Sequence, residues 1–364
     1  MTATSISNQT IATINEQVPS LPEPLRQIGQ RIYQIDVMQG RTVVPPLMEP
    51  WVEKHFGDVA AVREQTIVKI VNRFTLESGL FNPVRAHRPN ADYPEDEALE
   101  AWITQELTGH DVFTDPEHET TADVFGRIRG RYCLSASNVA KYDGWHGLVI
   151  FDDPHPLHPG PAQIADFLEV ALRWFAAAHA ADPAAIYPLI TWNCLPKSGA
   201  TLMHGHMQLA LTRGMHFARI ENWRRAAEAY CARAGAAYLD DLYALHEALG
   251  LAVPAGNIAR GFVHLTPVRN REIVLLAPSA EDMIEPFAAN VRALIERQGV
   301  RAFNAAIALP PLLPTAENWR DMAVVARVGD RGNPMTNRND IGAMELFAAS
   351  CITTDPYRVA RELA

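Results

Sequence analysis

The run Thr201-Leu-Met-His-Gly-His-Met-Gln-Leu-Ala-Leu211 alternates polar and apolar positions from His204 to Leu209. A strand points successive side chains to opposite faces, so His204, His206 and Gln208 share one face while Gly205, Met207 and Leu209 share the other. The Met and Leu face must lie on a core, and the polar face must look into a wet or charged space. Gly205 permits close approach by a neighbouring backbone. Just before the run stand the small or hydroxylic residues Ser198, Gly199, Ala200 and Thr201, with Lys197 at the mouth. Such a loop offers hydroxyls and backbone N–H groups where a phosphate fits.

The flanking segments read as a mixed unit of strands and helices. Leu148 to Phe151 is a short apolar strand ended by Asp and Pro residues. PAQIADFLEVALRWFAAAHAAD is an amphipathic helix with Pro161 in its first turn, and AIYPLITWNC is a β-branched and aromatic strand. Upstream, VAAVREQTIVKIVNRF reads as helical. After residue 215 a helical stretch runs to Gly250, and then GFVHLTPVRNREIVLLAP, AEDMIEPFAANVRALIERQG, FNAAIALPP and DMAVVARVG give two strands, a helix and two strands. That order echoes the first half and raises an internal duplication, which residue identity between the halves does not establish.

A chain of 364 residues, 48% hydrophobic, can bury the core of two domains or of one duplicated domain. Its formal net charge of −10 argues against nucleic acid as a partner, because that binding needs a basic footprint. Any phosphate must be met by a local site. Cys133, Cys194, Cys231 and Cys351 form no C-x-x-C pair, so neither a disulfide framework nor a cysteine-based zinc site is expected. No apolar run approaches the roughly 20 residues that span a bilayer, and the N-terminal residues lack a secretory pattern. The expectation is a soluble, cytoplasmic chain with no membrane partner.

Three chemistries can use two histidines and a glutamine on one strand face. The pair can ligate a metal, although no carboxylate follows between Leu209 and Gly214 to complete a set. One histidine can act as a nucleophile toward phosphorus, with the others orienting the ring and the phosphate oxygens. Or both histidines can simply be satisfied within a polar groove. His146, His155 and His158 near Asp152 and Asp153 also invite a metal reading, but the prolines of DDPHPLHP favour a surface loop.

The string Gly199-Ala-Thr-Leu-Met-His-Gly-His-Met-Gln208 resembles the active-site motif of the histidine triad superfamily, in the branch whose third histidine is glutamine. That branch holds galactose-1-phosphate uridylyltransferase and the diadenosine polyphosphate and ADP-sugar phosphorylases. Asn138 and Lys141 in NVAKYDGWHGLVI resemble the family's Asn and Lys stretch, and Trp192-Asn193 its polar strand end before the glycine loop. FNPVRAHRP, with Arg85 and Arg88, resembles the N-terminal Asn-Pro and Arg-Pro segment of the uridylyltransferases, and DIGAMELFAASCITTDPYRVARELA their closing segment.

The resemblance implies an α+β, histidine-triad-like fold of two tandem halves, with antiparallel sheets flanked by helices. The expected division is an N-terminal extension at 1–74, a catalytic half at 75–215, a helical connection at 216–250 and a second half at 251–364. It implies that His206 attacks the α-phosphorus of a nucleoside diphosphate compound and that a phosphate-bearing acceptor then takes the nucleotide. Gln208 would donate to a non-bridging oxygen, and His204 and Thr201 would orient the phosphate and the ring. Asn138, Lys141, Asn193, Lys197, Ser198, Gly199, Arg85 and Arg88 would contact substrate. The expected partners are nucleotides and phosphorylated small molecules, no cofactor or metal is implied, and there is room for a homodimer because such relatives often pair.

The departures carry information too. The uridylyltransferases commonly join the first motif histidine to a Cys-x-x-Cys zinc site, and no such pair exists here. They carry a second H-x-H strand near the C-terminus, where this chain has MAVVARVG and no histidine after His264. Met203 replaces their usual proline. Hexose 1-phosphates lose ground as acceptors, and inorganic phosphate, as in a phosphorylase, or an unusual nucleotidyl acceptor gains it. A nucleotide-binding protein without catalysis and a metal-dependent hydrolase complete the alternatives.

Overall fold

The structure is a computed structural model that describes residues 9–87, 93–336 and 339–364. Thirteen strand ranges fix the architecture among these residues: β1 Tyr33–Arg41, β2 Glu64–Asn72, β3 Ser78–Phe81, β4 Cys133–Ser137, β5 Trp145–Phe151, β6 Ala185–Cys194, β7 His206–Arg213, β8 Ala252–Val253, β9 Arg260–Val263, β10 Asn270–Ala277, β11 Phe303–Ala308, β12 Val324–Asp330 and β13 Ser350–Ile352. Nine of them form one sheet in the order β4-β5-β7-β6-β11-β12-β10-β9-β8. All its pairings are antiparallel.

The order is a duplication. Outward from the β6–β11 junction, one side reads β6, β7, β5, β4 and the other β11, β12, β10, β9. In each half two strands are followed by a long helix, Pro161–Ala181 or Ala280–Gln298, and then by two more strands. The two helices pack on each other. β12 therefore stands where β7 stands in the first half. The expected α+β class, with antiparallel sheets flanked by helices, is what the chain adopts.

The alternation in the 204–209 run has its predicted effect. Met207, Leu209 and Leu211 are fully buried in the main core with Phe167, Ala171 and Trp174 of the Pro161–Ala181 helix. Gly147 admits that helix, since a Cβ there would lie 2.5 Å from Trp174. Each large apolar side chain buried here contributes about 1.5–3 kcal/mol.

A second sheet, β1-β2-β3-β13, pairs β3 with β13 in parallel. The expected boundary at 74/75 falls between β2 and its partner β3, and the expected second half includes β13 of this sheet. The helical reading of VAAVREQTIVKIVNRF holds only for Val59–Arg63; from Glu64 the chain is β2. Thr66, Ile67, Val68, Ile70 and Val71 are β-branched and pair with β1 from Gln39 back to Gln34, and this pairing overrides the helical spacing. The helical stretch after residue 215 is two helices, Ala218–Ala234 and Tyr238–Ala248, separated at Gly235, whose φ of 67° ends the first.

Candidate active site

β7 begins at His206, and His204 lies in the bend before it rather than within the strand. The side chains on the sheet's site face follow from register. Ile150 pairs with His206 and Leu148 with Gln208, so a small apolar cluster of Phe113, Ala136, Leu148 and Ile150, with Leu202 against it, surrounds the polar residues on that face. Gly205 has the expected close neighbour: a Cβ there would meet Phe151 at 2.4 Å and the Pro156 backbone at 3.3 Å.

The two imidazoles are held in defined states. His206 Nδ1 donates to the His204 carbonyl at 2.8 Å, which leaves the Nε2 lone pair with no hydrogen-bond partner among the described residues. His206 is 7% exposed, and burial is the main cause that holds its pKa below the ordinary imidazole value. A neutral ring with a free Nε2 is the form that can attack phosphorus. His204 Nε2 donates to the Phe151 carbonyl at 2.8 Å, and its Nδ1 lies 3.8 Å from Asp111 Oδ1. Phe113 sets its ring edge-on to both, with centroids 5.8 Å from His204 and 5.2 Å from His206. Asp111 and Phe113 come from an unpatterned loop, and nothing in the sequence marks them.

Between β6 and β7 the chain is strained. Leu195 has φ 71° and ψ 159°, a conformation nearly reserved for glycine that costs about 1–3 kcal/mol elsewhere in proteins. Gly199 follows at φ 97°. The N–H groups of Ser198, Gly199 and Ala200 donate to the carbonyls of Leu195 and Pro196, so the loop's backbone is not the open anion cradle the sequence suggested. The Ser198 hydroxyl is buried without a hydrogen-bond partner among the described residues, and Thr201 is exposed at the loop's end.

Two amides flank the loop and strand. Gln208 Oε1 meets His146 Nε2 at 3.2 Å. Asn193 Oδ1 accepts from Asn304 Nδ2 at 2.7 Å, and the same Asn304 nitrogen donates to the Ser198 carbonyl at 2.7 Å. Arg331 donates to Asn304 Oδ1 at 2.6 Å and holds Asp340 with two bonds of 2.8 Å. The second half thus braces the glycine loop. Asn304 was legible only in hindsight, because β11 register places it opposite Asn193 and no local signal says which strand lies beside β6. Lys197 sits near Asp340 and Arg331; burial is the main cause that lowers its ammonium pKa.

Asn138 and Lys141 border Gln208 through His146. Lys141 Nζ donates to Ser137 Oγ at 2.6 Å and to the His146 carbonyl at 3.3 Å. Arg85 lies elsewhere, in a short turn after β3 beside Cys351 of β13, and no contact among the described residues brings it to His206. Arg88 lies outside the described residues.

One group among the described residues gathers metal-ligand atoms, namely Glu100, His155 and His158. Glu100 Oε2 is 3.1 Å from His155 Nε2 and 3.8 Å from His158 Nε2. The two rings stack 3.5 Å apart at 14°, so their in-plane lone pairs run side by side and one ion cannot lie in both planes. The geometry is that of two imidazoles sharing a carboxylate.

Three solved structures show where this fold recurs. An ADP-glucose phosphorylase from Arabidopsis thaliana, with bound ADP-glucose, superposes with a TM-score of 0.61 at 15% identity, over 79% of this chain and 94% of its own. A GalT-like protein from the same plant gives 0.57 at 14% identity, over 70% and 91%. A uridylyltransferase gives 0.54 at 14%, over 82% and 97%. No family model matches the chain, and no curated protein matches its sequence. The fold is thus that of the uridylyltransferase and nucleotide-sugar phosphorylase group, as the motif resemblance implied. Among the described residues, no helix is long and apolar enough to cross a membrane.

Proposed function

We propose that this chain, which shares the fold of nucleotide-sugar transferases and phosphorylases, is a nucleotidyltransferase that works through a covalent nucleotidyl-His206. The observation that carries the reading is the His206 ring: neutral by burial, with Nδ1 committed to the His204 carbonyl and Nε2 left open. Nε2 attacks the α-phosphorus of a nucleoside diphosphate compound. An N–P bond forms, the bridging P–O bond breaks, and the leaving phosphate keeps the electron pair. An anionic phosphate oxygen of the acceptor then attacks the same phosphorus and restores the free imidazole. Splitting one displacement into two lets different phosphates serve as donor and acceptor.

Gln208 meets a non-bridging oxygen, and Thr201, Asn193 and Lys197 surround the remaining phosphate, while Ser198 and Gly199 shape the loop that carries Thr201. The division into a catalytic first half and a bracing second half, action in the cytoplasm and a homodimeric state belong to the same proposal. Inorganic phosphate is favoured as the acceptor over a hexose phosphate, because β12 offers no histidine and its Arg327 is held by carboxylates. The deciding experiment charges the protein with a labelled nucleotide sugar and then supplies phosphate or a hexose 1-phosphate. Release by phosphate alone supports the phosphorylase form; release by the sugar phosphate alone assigns the transferase form; a label that never attaches rejects both in favour of simple nucleotide binding.

A further inference from the structure

His146 is fully buried on β5, one diagonal step across the β5–β7 ladder from Gln208. Its ring stacks on Tyr142 at 4.1 Å and 19°. The Tyr142 backbone N–H donates to His146 Nδ1 at 3.0 Å. A backbone N–H can only donate, so Nδ1 must be the unprotonated nitrogen and Nε2 must carry the hydrogen of the neutral ring. The atom that Nε2 meets on Gln208 at 3.2 Å is then an acceptor, the amide oxygen. The opposite arrangement, with the amide turned over and the ring hydrogen moved to Nδ1, would set two donors against each other at Tyr142.

Asn138 Nδ2 also approaches His146 Nε2, at 3.3 Å. Asn138 cannot turn to accept, because its Oδ1 already takes the Ala140 N–H at 3.0 Å. Two donors face each other there at 3.3 Å, a longer approach than the 3.0 Å that the other tautomer would set between donors at Tyr142, and the His146 hydrogen goes to the acceptor in reach, Gln208 Oε1. With its oxygen engaged, Gln208 has only its NH2 group to present, and no described residue accepts from that nitrogen. Burial, followed by the nearby Lys141 charge, lowers the His146 pKa and keeps the neutral tautomer at pH 7.

We propose that His146 is a positioning residue that fixes the Gln208 amide in one of its two orientations, so that the site presents a hydrogen-bond donor and never an acceptor to the substrate's phosphoryl oxygens. This rests on the proposed role of Gln208 and adds a cause for its orientation. Without His146 the amide turns freely, and half of its orientations point an oxygen at an anionic oxygen. The second step in line is Tyr142, whose N–H selects the tautomer.

The test measures the single-turnover rate of adduct formation on the full chain, by intact mass, with ADP-glucose and UDP-glucose as probes. His146→Phe keeps the stack on Tyr142 but cannot donate, whereas His146→Gln offers an N–H toward Gln208. The Phe variant should lower the saturating rate by about two- to tenfold, with the half-saturating concentration changed less than the rate, and the Gln variant should recover most of the rate. In a Gln208→Ala background, His146→Phe should cost nothing further, because its only path of action is gone. Equal rates for the Phe and Gln variants, or a full additional loss in the Gln208→Ala background, overturn the proposal. Were Gln208→Ala alone to form adduct at the parental rate, the assigned role of Gln208 would fall along with it, while adduct formation at His206 would stand.

Discussion

β7 and β12 occupy equivalent places in the two halves of one sheet, yet their surroundings make opposite uses of the same face. Register carries Gln208 on β7 through Thr191 and Ala306 to Arg327 on β12, so both side chains rise from one side of the sheet. Over β7 the polar groups are buried or half-buried but left unpaired: Phe113 packs edge-on against His206, Leu202 lies on the apolar cluster beside it, and the Gln208 NH2 and His206 Nε2 have no described partner. Over β12 the polar groups are paired. Arg327 reaches Glu77 at 2.5 Å and Glu272 at 2.6 Å, and its guanidinium lies 5.1 Å from the Trp223 ring centroid. Burial would push the Glu272 carboxyl pKa up, but the Arg327 charge and His264 hold it down at about 2. The repeated strand order gives two equivalent platforms, and the charged residues met by one of them occupy its polar face with ion pairs. Chemistry depends on what the face is left to meet, not on the platform itself.

Substitutions on the two strands should therefore separate cleanly. The largest effect belongs to His206→Asn, which removes the nucleophile while keeping a polar side chain. It should lower turnover by about 10⁴-fold or more, with an unchanged melting temperature, as steady-state kinetics and calorimetry will show. Arg327→Ala should do the reverse. It leaves Glu272 and Glu77 without their counter-ion and should cost about 3–5 kcal/mol of stability in denaturant unfolding, while folded protein still forms the adduct. An Arg327→Ala protein of normal stability that fails to turn over would put β12 in the reaction and end the contrast.

Gly205→Ala lies between these extremes. Its Cβ would meet Phe151 at 2.4 Å, so β5 or the bend at His204 must move. The expected stability loss is about 1–3 kcal/mol, and turnover should fall further than stability because His204 and His206 shift with the bend. A crystal structure of the variant with His206 Nδ1 still on the His204 carbonyl, together with full activity, would remove the reason given for this glycine.

The smallest effects are in pH. In the first half, burial lowers the His206 pKa, so the acid limb of the single-turnover rate should fall below about 6.5 rather than at it. In the helical connection the titration should appear as stability. Burial pushes the His246 imidazole down to about 3, so between that value and about 6.5 the unfolded chain holds a proton that the folded chain lacks. Stability should decline as pH falls through this window, as denaturant melts between pH 7.5 and 4.5 will register. An acid limb at or above 6.5 would argue against a buried, neutral nucleophile.

Much of this was written locally in the chain. The alternation from His204 to Leu209 set the core face and the polar face of β7, and the spacing of Ile164, Phe167, Leu168, Ala171 and Phe175 marked the helix behind it. Legibility failed where the deciding contact is distant in sequence. β2 carries helix-like spacing that pairing with β1 overrides. The Asn304 to Asn193 bond spans 111 residues and depends on which strand joins the halves. Asp111 and Phe113 reach the histidines from a loop without periodicity, and the N–H groups of residues 198–200 turned inward because Leu195 bends the loop on itself. His146 drew attention only as one of several histidines near aspartates, while its bond to Gln208 needed the β5–β7 register.

The central claim is one bond between His206 Nε2 and phosphorus. Incubating the intact protein with ADP-glucose, UDP-glucose and a dinucleoside tetraphosphate, then weighing it, tests that bond directly. The expected result is a mass increase of one nucleoside monophosphate with at least one of these compounds, mapped to His206 and missing from His206→Asn. No increase with any of them, or an increase that survives in His206→Asn, would contradict the account.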